Sequence, residues 1–173
     1  IYADVAARVA VIESVERYSS CAWNPDDLIW ATEAELGDDA IGFDRWPQCS
    51  ATEYAHPENY LIPPDPRIPL RWVKGWSLRQ NRPVYVPAVL VYLQFPTMSA
   101  AERFTHPVST GCAAHTTWAE AVVNGLVEVI ERDSISLTWL QRLPLPEIDQ
   151  ASFPDDPELA KYLEPTTRTH IRT

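Results

Sequence analysis

Glycine is scarce in this chain, five among 173 residues. None stands in a Gly-x-x-x-x-Gly-Lys-[Ser/Thr] or Gly-x-Gly-x-x-Gly arrangement, so neither the P-loop nor the dinucleotide fingerprint is present. Any phosphate cradle must then be built mainly from side chains and metal. Positive charge is also short: 14 Lys and Arg against 24 Asp and Glu give a net charge of −10, and no basic stripe offsets it. A nucleic-acid partner is therefore not expected. The three cysteines, Cys21, Cys49 and Cys112, are odd in number and form neither Cys-x-x-Cys nor a zinc-type Cys/His block, which reads as reduced thiols in a cytoplasmic protein. Nothing approaches the ~20 consecutive apolar residues of a membrane span. No charged segment precedes an apolar stretch, so neither a membrane anchor nor a signal peptide is expected.

What remains is ordinary for a globular chain, with 46% hydrophobic and 22% charged residues. The length suits one domain, on about 100–200 residues per domain. The chain opens on "IYADVAARVAVIE", without Met and already in a helical pattern, and stops at "RTHIRT". It reads as a piece of a longer protein.

Residues Asp4 to about Ser20 predict a helix, with Val5, Val9, Ile12 and Val15 at helical spacing and no Gly or Pro between them. Asn24-Pro25-Asp26-Asp27 reads as a turn, "LIWATEAEL" as a short helix, and Gly37 as its stop. Prolines 47, 57, 63, 64, 66 and 69 make long regular elements unlikely between Phe43 and Pro69. Leu70–Ser77 and Pro83–Phe95 are rich in Val, Tyr, Trp and Leu and read as strands joined by "RQNRP", with "VPAVLVYLQF" as a buried strand. Helical periodicity resumes over Trp118–Leu140, with Thr116 or Thr117 as cap and Glu120 completing a capping box with Thr117. "LPLPEIDQASFPDDPELAKYLEP" leaves room for one more short helix.

The pattern Glu-x-x-Glu-Arg occurs twice, at Glu13–Arg17 and at Glu128–Arg132. On the first helix Glu13 and Glu16 lie ~60° apart with Val9 between them, inside an apolar arc. Burying unpaired carboxylates there is costly, so cations or strong donors are expected nearby. On the second helix Glu120, Asn124, Glu128 and Glu131 form one stripe ~80° wide with Arg132 at its edge. Val122, Val123, Leu126, Val129 and Ile130 form a core face opposite, and on that pattern alone the acidic stripe could simply face water. The repeat tips the balance toward a pseudo-symmetric domain that brings two carboxylate pairs to one site. Oxygen-only ligands with no Cys or His nearby suit Mg²⁺ rather than zinc, and Mg²⁺ binds through carboxylates and substrate phosphates. A nucleotide is then the implied ligand.

"STGCAAHTTWAEAVVNGLVEVIERDSISLTWL", residues Ser109–Leu140, resembles the YcaO family through Ser109, Gly111, Ala113, Glu120, Ala121, Glu128, Glu131, Arg132 and Asp133. "AARVAVIESVERYSS" resembles that family's earlier helix, and "WVKGWSL…PVYVPAVLV" the strand pair between. The resemblance implies an α+β, pseudo-repeated sheet-and-helix fold, with residues 1–149 its central part and 150–173 a proline-punctuated continuation. It implies ATP and Mg²⁺ as cofactors. Metal ligands would be Glu13, Glu16, Glu120, Glu128 and Glu131, and Glu120, Asn124, Arg132, Ala113 and Thr116 would contact ATP.

The family activity implied is ATP-dependent activation of a peptide backbone amide, closing thiazoline or oxazoline rings on Cys, Ser or Thr of a ribosomal precursor peptide. "SISLTWLQRLPLPEID" resembles the azoline-forming members. Partners would be that precursor peptide, a leader-binding protein or fused domain, a flavin-dependent dehydrogenase, and a second copy in a homodimer. A peptide thioamide-forming enzyme and a non-catalytic scaffold binding a precursor peptide are the alternatives. Two departures stand out. His115 occupies a place where many members have glycine, and reads first as a hydrogen-bonded loop histidine. The family's upstream nucleotide segment and its catalytic, proline-rich C-terminus have no counterpart here, so no catalytic residue is assigned. Cys112 reads as a small packed residue.

Overall fold

A single uninterrupted helix, α1 (Ala3–Cys21), opens a computed structural model that describes residues 3–146. The described residues fall into two compact units divided after Arg132. In the first, α1 matches the predicted helix. Its Ser14 and Ser20 hydroxyls donate to carbonyls one turn back, at 2.7 and 2.8 Å. The apolar arc expected to be buried is not: α1 has no buried residue, and Val5, Val9, Ile12 and Val15 are all exposed. Periodicity shows that a face can be covered, and no described element covers this one.

After α1, Asn24 accepts from the Asp26 amide and Pro25–Asp27 makes one 3-10 turn. Leu28–Ala31 is then a strand, β1, and not the start of a helix. It pairs antiparallel with β2 (Leu70–Ser77), with Ile29 opposite Trp72. The helical part of "LIWATEAEL" shrinks to one turn, α2 (Glu33–Leu36), held by a capping box between Thr32 and Glu35 and closed by Gly37 at φ 53°. The proline-dense stretch stays irregular as predicted, with one turn, α3 (Ala51–Tyr54), capped by Ser50 and Glu53.

The sheet runs β1-β2-β3, all antiparallel, with β3 at Arg82–Pro87. The expected long strand to Phe95 stops at Pro87, and Ala88–Leu90 turns into a 3-10 helix. Proline has no N–H to continue a ladder. Ala88, Val89 and Phe95 are still buried, so the segment's apolar character is used without a strand. Trp72, fully buried at the centre of the core, donates through its indole nitrogen to the Ala31 carbonyl at 2.9 Å. Phe43, Phe95 and Phe104 pack in the same core. Helix α4 (Trp118–Leu140) has the predicted bounds. The expected core face on α4 is mostly open, with Val123, Leu126, Val129 and Ile130 exposed. In the second unit, the Leu143 amide donates to the Thr138 carbonyl at 3.0 Å. The further short helix and residues 150–173 lie outside the described residues. Helices with a three-stranded antiparallel sheet make the chain α+β, as expected.

Candidate functional site

Helix α4 carries a glycine in its interior, which costs about 1 kcal/mol relative to alanine. Gly125 is also its only buried residue. The reason is a close approach: a Cβ on Gly125 would stand 2.7 Å from the Gly111 carbonyl oxygen and 3.6 Å from the Ala113 Cβ. Gly111 itself has φ +89°, a left-handed conformation that glycine adopts without penalty. The Gly111 N–H donates to Glu128 Oε2 at 3.1 Å. The loop Ser109–Thr117 therefore rests on the helix backbone and is stitched to the acidic stripe.

A second stitch lies at the helix start. Thr117 caps α4, its hydroxyl accepting from the Glu120 amide at 3.3 Å and donating to Glu120 Oε2 at 2.5 Å. Only half of the predicted capping box forms: the Glu120 amide reaches the Thr117 hydroxyl, while the Glu120 carboxylate takes that hydroxyl's hydrogen instead of the Thr117 backbone N–H. His115 Nδ1 lies 2.8 Å from the same Oε2, and Thr116 Oγ1 lies 3.3 Å from Nδ1. The Thr117 hydrogen bond, aided by His115, holds the Glu120 carboxyl below its usual range. The expected hydrogen-bonded loop histidine is what His115 is.

Lower on the stripe, Arg132 pairs with Glu128 Oε1 at 3.6 Å. The exposed Asn124 and Glu131 side chains make no hydrogen bond or ion pair among the described residues. Ala113 and Cys112 are half-buried in the loop. On α1, Glu13 and Glu16 meet only Arg17 among the described residues, at 3.8 and 3.7 Å, and Glu13 is 62% exposed while Glu16 is 17%. The expectation that strong donors surround this pair is not met. Among the described residues no three His, Cys, Asp or Glu side chains gather closely enough to hold a metal ion. In donor chemistry the residues do fit Mg²⁺. They are carboxylate oxygens, exposed on Glu13, Glu120 and Glu131 and half-buried on Glu16 and Glu128, and among the described residues the contacts of Glu120 fall on Oε2 and leave Oε1 open.

Two features escaped the sequence. Arg71 on β2 and Glu102, both buried, pair through Nε–Oε1 at 2.6 Å and Nη2–Oε2 at 2.8 Å, with the guanidinium 3.9 Å from the centre of the Phe95 ring. Glu102 also accepts from the Met98 amide at 2.7 Å. Burial alone would raise the Glu102 carboxyl, but the hydrogen bonds from Arg71 and Met98 outweigh it and leave it low. An Arg between Leu70 and Trp72 in an apolar strand was the available signal. The other feature is a cleft of about 800 Å³ between Glu33, Asp44, Arg45, Arg79 and Arg82, which holds none of the predicted site residues. A smaller apolar groove of about 410 Å³ runs beside Gly111, Ala113, Gly125 and Trp118.

Comparison with known proteins places this geometry. The profile of a family described as YcaO cyclodehydratase, ATP- and Mg²⁺-binding, matches residues 3–173. An uncharacterised protein of Methanothermobacter thermautotrophicus is 29% identical over 149 residues, covering 85% of this chain and 35% of its own length. A protein from the tfuA 3′ region of Rhizobium leguminosarum bv. trifolii is 31% identical over 164 residues, covering 88% and 34%. Among solved structures, a heterocyclase in complex with substrate and cofactor matches with TM-score 0.78 and 30% identity, over 91% of this chain and 22% of its own. The heterocyclase TruD gives 0.79 and 29%, over 94% and 25%. The YcaO protein of Methanopyrus kandleri, bound with AMPPCP and Mg²⁺, gives 0.60 and 27%, over 92% and 36%. The chain spans about a third of the length of the curated relatives it matches. No helix among the described residues is long and apolar enough to cross a membrane.

Proposed function

The chain belongs to the YcaO family, whose domain binds ATP and Mg²⁺, and on that premise we propose that it is part of a peptide cyclodehydratase. In this reading a Cys, Ser or Thr heteroatom of a precursor peptide adds to the preceding backbone carbonyl. The carbonyl oxygen takes the γ-phosphoryl group of ATP and ADP departs. Phosphate then leaves with that oxygen as the amide proton is lost and a C=N bond forms.

The observation that carries the reading is the loop Gly111–Thr117, stitched to the acidic stripe of α4 at Glu128 and at Glu120. Glu120, Glu128 and Glu131 on α4, with Glu13 and Glu16 on α1, would hold Mg²⁺. Ala113, Thr116, Asn124 and Arg132 would contact the nucleotide. Bound Mg²⁺ would offset charge on the phosphates and on the leaving group. The protein's own part is to position the loop and to hold the Glu120 carboxyl below its usual range through the Thr117 hydrogen bond.

The test incubates the full-length protein with ATP, Mg²⁺ and a Cys/Ser/Thr-rich peptide and weighs the peptide. Loss of one water per ring is expected, abolished in Glu128→Gln and Glu131→Gln. A gain matching oxygen replaced by sulfur, when sulfide is supplied, would identify thioamide formation instead. Peptide binding with no ATP consumption would identify a scaffold, and full activity in both variants would remove the metal assignment.

A further inference from the structure

His115 is the one imidazole against the acidic stripe among the described residues, and the proposed reaction leaves it without a task. Its contacts limit what it can do. Nδ1 is 2.8 Å from Glu120 Oε2, an oxygen that also accepts from the Thr117 hydroxyl. A carboxylate oxygen has only lone pairs to offer, so Nδ1 must carry the hydrogen, whether the ring is neutral or charged. Thr116 Oγ1, at 3.3 Å, is at most a second, longer acceptor for the same hydrogen. Two donors therefore meet at Oε2, and among the described residues none meets Oε1, so one oxygen of the Glu120 carboxylate is committed to the protein.

Neither donor alone would achieve this. Thr117 is bonded to the Glu120 amide as well, which draws the carboxylate toward the helix end as in an ordinary cap. His115 reaches the same oxygen from the loop side, and this second donor fixes the carboxylate's rotation.

We propose that His115 is a positioning residue: its Nδ1–H orients the Glu120 carboxylate so that Oε1 is presented as a single, monodentate ligand to the Mg²⁺ of the bound nucleotide. The proposal rests on the nucleotide reading above. It follows the general behaviour of hydrogen-bond partners behind a metal ligand, which set ligand orientation without touching the ion.

The experiment measures Mg²⁺–AMPPCP binding to the full-length protein by calorimetry, in wild type, His115→Ala, His115→Asn, His115→Gln and Glu120→Gln, with thermal melting of each. An Asn amide nitrogen falls near the place of Nδ1, whereas a Gln amide nitrogen falls near Nε2. Expected are binding about tenfold weaker in His115→Ala and His115→Gln, and within about threefold of wild type in His115→Asn. Melting should not move, because His115 is a partly exposed loop side chain. Steady-state ATP titration should show the loss in KM before kcat. Unchanged binding in His115→Ala, or rescue by Gln and not by Asn, overturns the positioning role while leaving the nucleotide reading intact. Wild-type-like binding in Glu120→Gln removes Glu120 as the ligand, and the proposal with it. Absence of Mg²⁺–AMPPCP binding by wild type overturns the nucleotide reading itself.

Discussion

Replacing Gly125 with alanine sets two local effects against each other. An alanine in the middle of α4 should favour the helix by about 1 kcal/mol. Its Cβ would, however, stand 2.7 Å from the Gly111 carbonyl oxygen, where ordinary contact begins near 3.4 Å. The loop must therefore retreat by about 0.7 Å, because a backbone carbonyl cannot rotate out of the way as a side chain could. That shift acts directly on the Gly111 N–H bond to Glu128, already 3.1 Å long. Losing a hydrogen bond to a charged acceptor costs about 1.5–3 kcal/mol when buried. Gly111 is exposed and Glu128 half-buried, so the lower end or less applies. Global stability should then change by no more than about 1 kcal/mol either way, while the loop comes off the stripe. Amide exchange at Gly111 should accelerate and Mg²⁺–AMPPCP titration should weaken, with denaturant midpoints nearly unchanged. Gly125→Val, with more bulk at the same place, should do both more strongly. A Gly125→Ala protein that keeps Gly111 protection and nucleotide affinity would refute the claim that the glycine exists for the loop.

Gly111→Ala tests the other side of the same contact. The left-handed backbone costs a non-glycine residue about 1–2 kcal/mol, and its Cβ meets Val129 Cγ2 at 3.1 Å, so chemical denaturation should show a loss where Gly125→Ala shows little. Glu102→Ala strands the buried Arg71 guanidinium and should cost about 3–5 kcal/mol in urea unfolding, whereas exchanging both partners for apolar residues should cost much less. Glu102 also sets an acid limit. Its carboxyl lies below the ordinary 4.5, so its contribution is complete above that pH and is lost as pH falls through the lower folded value. Acid titration of stability should flatten in that range for the doubly apolar variant, and an unchanged profile would count against the pair. Thr32→Ala breaks the capping box on α2 and should lower stability by about 1 kcal/mol, read as a drop in melting temperature.

The elements legible in the sequence are those whose cause is local. Alanine content and the absence of Gly and Pro give α1, the Leu, Trp and Val content of Leu70–Ser77 gives β2, and Thr117 with apolar spacing gives α4 at its observed bounds. β1 was not legible. "LIWA" is four apolar residues with no period to read, and its identity is decided by a distant partner, Leu70–Val73. The end of β3 was misread because apolar content continues past Pro87 although the backbone donor does not. Arg71 and Glu102, 31 residues apart, show the same limit for charge: each looks like a surface residue until the fold buries both. Gly125 drew no reading from the sequence, because its reason lies in the path of the loop that precedes the helix.

The two Glu-x-x-Glu-Arg copies read alike and are physically unequal. On α4 the stripe is held from outside the helix, by the Gly111 amide on Glu128 and by His115 on Glu120. On α1 the pair meets only its own Arg17 among the described residues, at 3.8 and 3.7 Å, contacts that are too long for hydrogen bonds and contribute little. A cation approaching α4 meets a carboxylate whose rotation is already fixed. One approaching α1 must first order two glutamate side chains, each giving up about 1–2 kcal/mol of rotamer freedom, and must compete with Arg17. Glu16, at 17% exposure against 62% for Glu13, has less of that freedom left to lose. On the Mg²⁺ reading proposed above, the motif would supply the ligand atoms, and the loop across α4 would set how much of their ordering is complete before a cation binds.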